Sequence, residues 1–385
     1  MRHTRTLLRL GLLLAVAATA RAADPDGADE PAKEPGPFDD IQLGVALEGY
    51  YEYNANRPYD EINLLRAYDT RANMFGLQQA ALVFELAPDV PAGRRFGGRV
   101  DLQYGQATAT LQGSAANEPR PEVYRNLWQA FGTYVFPVGR GLRMDFGKFG
   151  SNLGIETNYA KDNHHFSRGY LFNFLPFYHA GLRLGVPVSE RVTLMYMLTN
   201  GLQQTEDFND VPSHHFSAVG THGKFSWTGS YYFGREQPQG DAPDPPSGQF
   251  RVYDGYFTCA VTPRLDLGLD VNYVTNEIGP AGSALSLQGL GAYARYEMTK
   301  AAAVALRYER LDDEGLFGNI EQVLEELTAT VEYAFGRGFL LRGELRRDWS
   351  NEDFFTTSRP GDLRDHQETA LAGFVWWFGN KQGAW

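Results

Sequence analysis

From Ile41 onward, apolar and polar residues alternate with a period of two, and the pattern recurs in sixteen separate runs. The clearest run sets Leu265, Leu267, Leu269, Val271 and Tyr273 against Arg264, Asp266, Gly268, Asp270 and Asn272. A strand sends successive side chains to opposite faces, so each run offers one face to apolar and one to polar surroundings. The runs lie near 41–53, 73–86, 97–110, 124–136, 141–149, 178–187, 190–200, 214–223, 225–234, 250–261, 264–275, 284–297, 301–310, 325–335, 338–349 and 366–378. Most have the roughly 9–11 residues that cross a bilayer at a tilt. The connections alternate between long ones, such as 54–72 and 150–177, and brief turns such as Thr262-Pro263 and Met298-Thr299-Lys300. Only 87–96 exceeds a turn among the short set. An even strand count with long loops on one side predicts an all-β fold: a transmembrane antiparallel β-barrel of about 16 strands, with long extracellular loops and short periplasmic turns.

Two further features agree with a barrel. No second set of elements exists to cover so many apolar strand faces, as a soluble sandwich would need. Aromatic residues make up 14% of the chain, enough to supply belts at both membrane interfaces. Tyr53, Tyr104, Phe149, Tyr196, Phe233, Tyr273, Tyr308 and Trp349 fall late in the odd strands, and Phe136, Tyr296, Phe335 and Phe378 close even ones. In the seventh loop, Ile320, Val323, Leu324 and Leu327 stand at helical spacing, so a short helix and a longer strand are equally compatible there. A single Cys excludes an internal disulfide framework and a Cys-based zinc site, and a net charge of −12 argues against nucleic-acid binding.

The first residues set the compartment. Arg2, Arg5 and Arg9 precede an apolar run, Leu10 to Ala18, too short to span a bilayer, and Ala20-Arg21-Ala22 supplies a cleavage pattern. The expected organisation is a signal peptide at 1–22, a disordered periplasmic tether at 23–40 and a barrel at 41–385. Cleavage removes four Arg and no acid, taking the net charge from −12 to −16. That charge predicts weak cation selectivity for any aqueous path through the barrel.

Several blocks stand out beyond the strand pattern. They are Tyr50–Asn54 with Asn56-Arg57-Pro58; Leu65–Thr70, running on to Asn73, Phe75 and Leu77; and Gly147-Lys148-Phe149 with Gly154, Glu156, Asn163, Ser167-Arg168-Gly169, Pro176 and His179-Ala180-Gly181. Near the end, Leu341–Glu344 with Arg346, Asp348 and Ser350 stands out as well. Together these blocks resemble the OmpL-like β-barrel porin family of diderm bacteria; the resemblance spans nearly the whole mature chain and implies an outer-membrane porin with no assigned catalytic residue or solute, and no cofactor is expected. One departure stands out: Phe378 closes the strand pattern where such barrels usually end, yet Gly379–Trp385 follow, so either Phe378 or Trp385 closes the last strand.

Apolar faces toward lipid put the polar set inside, where a ring of about sixteen strands encloses water. Pore-lining candidates are therefore Arg99, Asp101, Arg143, Asp145, Arg183, Asp266, Asp270, Arg307, Glu309, Glu332, Arg342, Glu344, Arg346 and Asp348. They either form a transverse field or neutralise one another and stiffen the wall. Making Arg346 a Glu should strengthen cation preference if it lines the path. The longest connection, 150–177, carries Glu156, Lys161, Asp162, His164, His165 and Arg168 as constriction candidates; by analogy with general porins it folds inward, and otherwise it is an outward flap. The pairs His164-His165 and His214-His215 do not by themselves make a metal site, because adjacent histidines in a strand face opposite ways. Ser167 near His164 lacks a nucleophile elbow. The leading function is a passive diffusion channel for small hydrophilic solutes; the alternatives are a structural or adhesive barrel with a plugged lumen or, further off, an outer-membrane hydrolase. Expected partners are outer-membrane lipid, the barrel-assembly machinery, periplasmic chaperones and further copies of the chain, as in a trimer.

Overall fold

The computed structural model describes residues 40–111, 118, 120–207, 209–236, 248–277, 284–381 and 383–385. The expected signal peptide (1–22) and nearly all of the expected tether (23–40) lie outside them. The strands are β1 (Gln42–Asn54), β2 (Met74–Leu86), β3 (Phe96–Tyr104), β4 (Leu127–Phe136), β5 (Leu142–Gly150), β6 (Tyr178–Pro187), β7 (Val192–Thr199), β8 (Ser213–His222) and β9 (Phe225–Glu236). They continue as β10 (Gly248–Thr262), β11 (Leu265–Asn276), β12 (Leu285–Glu297), β13 (Ala302–Glu314), β14 (Glu321–Ala334) and β15 (Phe339–Ser350). A small hairpin of β16 (Phe355–Thr356) and β17 (Leu363–Arg364) sits in the last loop, before β18 (His366–Gly379). Each barrel strand pairs antiparallel with its neighbour, and β18 lies between β15 and β1, closing a ring of sixteen. Closure removes every sheet edge, so each strand's backbone donors and acceptors are met without water.

Alternation decides which way each side chain faces. On β15, Leu341, Leu345 and Arg347 are exposed on the outer surface, whereas Leu340, Arg342, Glu344, Arg346 and Asp348 are buried inside. The seventh loop resolves in favour of the longer strand: β14 begins at Glu321, paired with Glu314, and Leu324 is fully buried while Leu327 faces out. The third strand is shorter than its pattern. It stops at Tyr104 because Gly105 takes a left-handed φ of 115°, where an added Cβ would stand 2.6 Å from the Gln78 carbonyl oxygen. The chain then turns into a short helix, α1 (Gln106–Leu111). The long second connection is held by paired backbone hydrogen bonds between Asp89 and Arg94, 2.8 Å each.

Two aromatic expectations need correction. Phe149 is not in the outer belt: it shares the inward parity of Asp145, is fully buried, and carries the Arg183 guanidinium 4.4 Å above its ring. Trp385 is not in the last strand. Phe378 pairs with Val45 and faces outward, whereas the chain after Gly379 bends back, and the Trp385 ring packs 5.7 Å from that of Tyr159.

Leu345 lies near mid-height on the outer face of β15. Leu345→Arg should cost about 2–4 kcal/mol of folding stability in lipid vesicles, measured by guanidinium titration. Unchanged stability would mean that Leu345 does not meet lipid.

Candidate functional site

Loop three, the connection between β5 and β6, lies inside the barrel. The Ser151 amide donates to the Phe177 carbonyl at 2.9 Å, closing the neck of the loop, and the chain between crosses the lumen. It contains a single 3-10 turn (Ala160–Asp162) and a short helix, α2 (Tyr170–Phe174), but is otherwise irregular. An irregular segment in such a place must find partners for its own peptide groups.

Acidic and basic side chains of the wall supply many of them. Carboxylates take loop N–H groups: Glu48 that of Ala160 (2.8 Å), Asp270 that of Ile155 (2.9 Å), Asp254 that of Gly154 (3.2 Å), Glu344 that of Phe166 (2.9 Å) and Glu309 that of Leu171 (3.2 Å). Guanidinium groups take loop carbonyls. Arg342 donates to Ala160, Asn163 and His165 at 2.5–2.8 Å, Arg307 to Ser167 at 2.9 Å, and Arg346 to Arg168 at 2.7 Å. Within the loop, Arg168 donates to the carbonyls of Thr157, Asn158 and Phe166 and so ties its two limbs together. Charge-assisted bonds of this kind are roughly twice as strong as neutral ones, and the guanidinium fork suits paired acceptors.

Apolar contacts seat the same segment. A Cβ on Gly289 would stand 2.4 Å from Leu171, and one on Gly373 would stand 2.5 Å from the Phe166 ring, so these bare positions in the wall are the sockets for loop-three side chains. The first loop contributes too. Arg66 is buried against Asp69 (2.7 Å) and Asp348 (2.8 Å), and the Tyr68 hydroxyl donates to Asn158 at 2.8 Å. Burial alone would lower the Arg66 pKa, but Asp348, Asp69 and Glu52 outweigh it and raise it, so the group stays charged.

The candidate residues therefore divide by what they touch. Asp270, Arg307, Glu309, Arg342, Glu344 and Arg346 bind loop three directly. Asp348 is held by Arg346 and Arg66, and Glu332 bridges Arg342 and Arg295. Arg346 is buried, so replacing it with Glu would strip a staple from loop three rather than recharge open water. Glu156 pairs with Arg307 at 2.7 Å and accepts the Gly169 amide; Lys161 pairs with Asp162; His165 bonds Thr330 at 2.7 Å. The two histidine pairs do not converge: His215 meets His179, with ring centroids 5.6 Å apart. Ser167 faces Arg307 at 3.1 Å, and its amide donates to Glu344 at 3.3 Å. Sequence reasoning missed Glu48, Glu52, Arg66, Tyr68 and Asp69, although blocks of the family resemblance run through the last four.

Two cavities flank loop three, and Ile155 and Glu156 border both. One, about 470 Å³, runs past His164, His165, Asp162, Lys224, Asp266 and Tyr293. The other, about 400 Å³, runs past Arg99, Arg143 and Arg183 together with Phe131, Tyr256 and Trp385.

The sequence model of the family described as putative beta-barrel porin-2, OmpL-like, matches residues 40–378. Among curated proteins no sequence matches. Solved structures of the same fold include the anion-selective porin of Comamonas acidovorans (10% identity, TM-score 0.57, covering 88% of this chain and 99% of that one). The outer membrane channel DcaP of Acinetobacter baumannii is similar at 12% identity and TM-score 0.58, over 87% and 97% of the two chains. OmpT of Vibrio cholerae, in a trimer form, matches at 7% identity and TM-score 0.57, over 88% and 99%.

Arg307→Gln should leave Glu156, Glu309 and Glu326 short of a counter-charge and cost about 3–5 kcal/mol. Faster proteolysis within loop three than in wild type is the expected readout; equal rates would mean that Arg307 does not hold the loop. A second expectation concerns pH. Burial, then Arg295 and Arg342, push His164 down to about 4, against the opposing pull of Glu332. A pKa below the unfolded value of about 6.5 means that this histidine's contribution to stability is intact above that pH and is lost as the pH falls toward 4. Loop-three cleavage by an acid-tolerant protease should thus rise between pH 6.5 and 4 and less so in His164→Gln.

Proposed function

We propose, for a chain that belongs to the putative beta-barrel porin-2, OmpL-like family and is an outer-membrane porin, that loop three sets the bore. Small hydrophilic solutes diffuse passively past it through the two cavities at its sides. The observation that carries this reading is the set of bonds from loop-three peptide groups to opposite walls, Glu48 on β1 and Asp270 on β11, with space left on either flank. Arg99, Arg143, Arg183 and Asp266 border that space and are the residues a solute meets; the buried charges of β13 to β15 hold the loop in place. The family and fold point to a channel without enzymatic chemistry, and the burial of Ser167 against Arg307 supports that reading.

The remaining parts of the proposal rest on the sequence. Residues 1–22 direct export and are cleaved, residues 23–40 form a periplasmic tether, and the barrel from 41 is inserted by the assembly machinery after escort by periplasmic chaperones. The trimer form among similar structures supports assembly of three copies. A plugged structural barrel is the second reading, favoured by the first loop and Trp385, which also occupy the interior.

Single-channel recording separates the two. Stable conductance steps are expected for the wild-type barrel, and deletion of Ser151 to Phe172 should raise the step size, because the wall charges it frees can hydrate in a wider lumen. A folded wild type without steps would favour the plugged barrel. Equal steps in wild type and deletion would mean that loop three does not restrict flow.

A further inference from the structure

The cavity on the β3–β6 side has a lining whose accessible chemistry differs from its charge count. Arg99, Arg143 and Arg183 face Asp101 and Asp145, with Glu85 at the rim. The carboxylates lie behind the guanidinium groups: the Asp101 and Asp145 side chains are 0% and 2% exposed, against 47% for Arg143 and 16% for Arg183. Their oxygens are already occupied. Asp101 accepts from Arg99 (2.7 and 2.8 Å), Gln129 (3.1 Å) and Tyr159 (2.9 Å). Asp145 accepts from Thr133 (2.6 Å), Arg143 (3.0 Å) and Arg183 (2.9 Å). Of the other acids bordering the space, Glu85 pairs with Lys381 at 2.9 Å and Glu156 with Arg307 at 2.7 Å.

The forks are only partly used. Arg143 spends Nε on Asp145 and Nη2 on Thr133, and Arg183 spends Nε and Nη2 on Asp145. The Nη1 edges of both are left for a visitor. Because Arg183 pairs directly opposite Asp145 in the β5–β6 register, Arg143 stands one inward position away, roughly 7 Å along the strand. The surroundings are aromatic: Arg183 lies over Phe149 and 5.4 Å from Phe131, and Phe172, Phe177 and Tyr256 line the same space.

We infer that this cavity is a subsite for a small organic anion, a carboxylate carried on an apolar or aromatic body, with Arg143 and Arg183 taking the carboxylate. The inference rests on the porin reading but adds the solute class. It departs from the cation preference expected of a chain at −16, because the acids beside this cavity, Asp101, Asp145, Glu85 and Glu156, are already spent on Arg99, Arg143, Arg183, Lys381 and Arg307. A carboxylate gains charge-assisted bonds here, and its apolar body replaces water against the rings.

The test uses benzoate as probe, with benzamide as its uncharged isostere and acetate as the anion without a ring. Titration calorimetry of the detergent-folded full barrel should show benzoate binding about tenfold more tightly than either control. Arg143→Gln should lose about the same factor, and Arg143→Lys, which keeps the charge but not the fork, should lose less. Arg143 is half exposed, so both variants keep the wall; heat-modifiable migration on gels checks the fold. Equal affinity for benzoate and benzamide, no benzoate binding by a folded barrel, or full affinity in Arg143→Gln would each overturn the inference. Bilayer recording on the same samples keeps the two readings apart. A barrel that conducts without binding benzoate loses only the subsite, and one that binds benzoate without conducting keeps the subsite and loses the diffusion channel.

Discussion

A stretch of irregular backbone held inside a closed barrel cannot leave its peptide groups bare, and the molecule is arranged around that constraint. A helix or strand would meet those groups internally; loop three does so only at Ala160–Asp162 and Tyr170–Phe174. Much of the rest is met by acidic side chains and guanidinium groups of the wall, the former taking N–H and the latter C=O, and by Glu156, Asn163 and Arg168 of the loop itself. Burying an ionised side chain is expensive unless it is paired and hydrogen-bonded. Arg307 finds both, with counter-charges in Glu156 and Glu326 and a peptide group in the Ser167 carbonyl. Removing one member strands several others.

This arrangement explains what the sequence discloses and what it hides. Strand faces are legible because alternation is local: Arg342, Glu344, Arg346 and Asp348 read as inward, and inward they are. Their partners are not legible, because a peptide carbonyl carries no sequence signature and lies about 180 residues away, as with Arg342 and Ala160. The charges on β15 therefore read as a water-facing row, where the fold uses them as staples. β3 and Phe149 show a smaller failure of the same kind, in which a left-handed glycine or the parity of one strand outweighs the aromatic pattern. The inward glycines 289 and 373 held a usable signal, since a bare position on the polar face of a strand marks a close approach.

The blocks that carry the family resemblance look unrelated along the chain but meet in space. Arg66 from the first loop reaches Asp348 on β15, Tyr68 reaches Asn158 in loop three, and Arg342 and Glu344 on β15 bind Ala160 and Phe166. The shared pattern is thus the pattern of a clamp. The arginines bordering the β3–β6 cavity belong to a different set, with partners on neighbouring strands, and so are free to vary without releasing the loop.

The partners of loop three come from both ends of the chain, and this fixes an order of assembly. Glu48, Gln79 and Asp101 belong to the first three strands, and Arg307 through Arg346 to strands that follow the loop by well over a hundred residues. Its full socket exists only once β1 has joined β18. The tail after Gly379 makes the link explicit: Asn380 bonds across the seam to Leu43, and a few residues later the Trp385 amide donates to Asp162 at 3.0 Å. The interior therefore sets last, like a keystone dropped in after the ring has closed, and an opening of the seam would unseat it first.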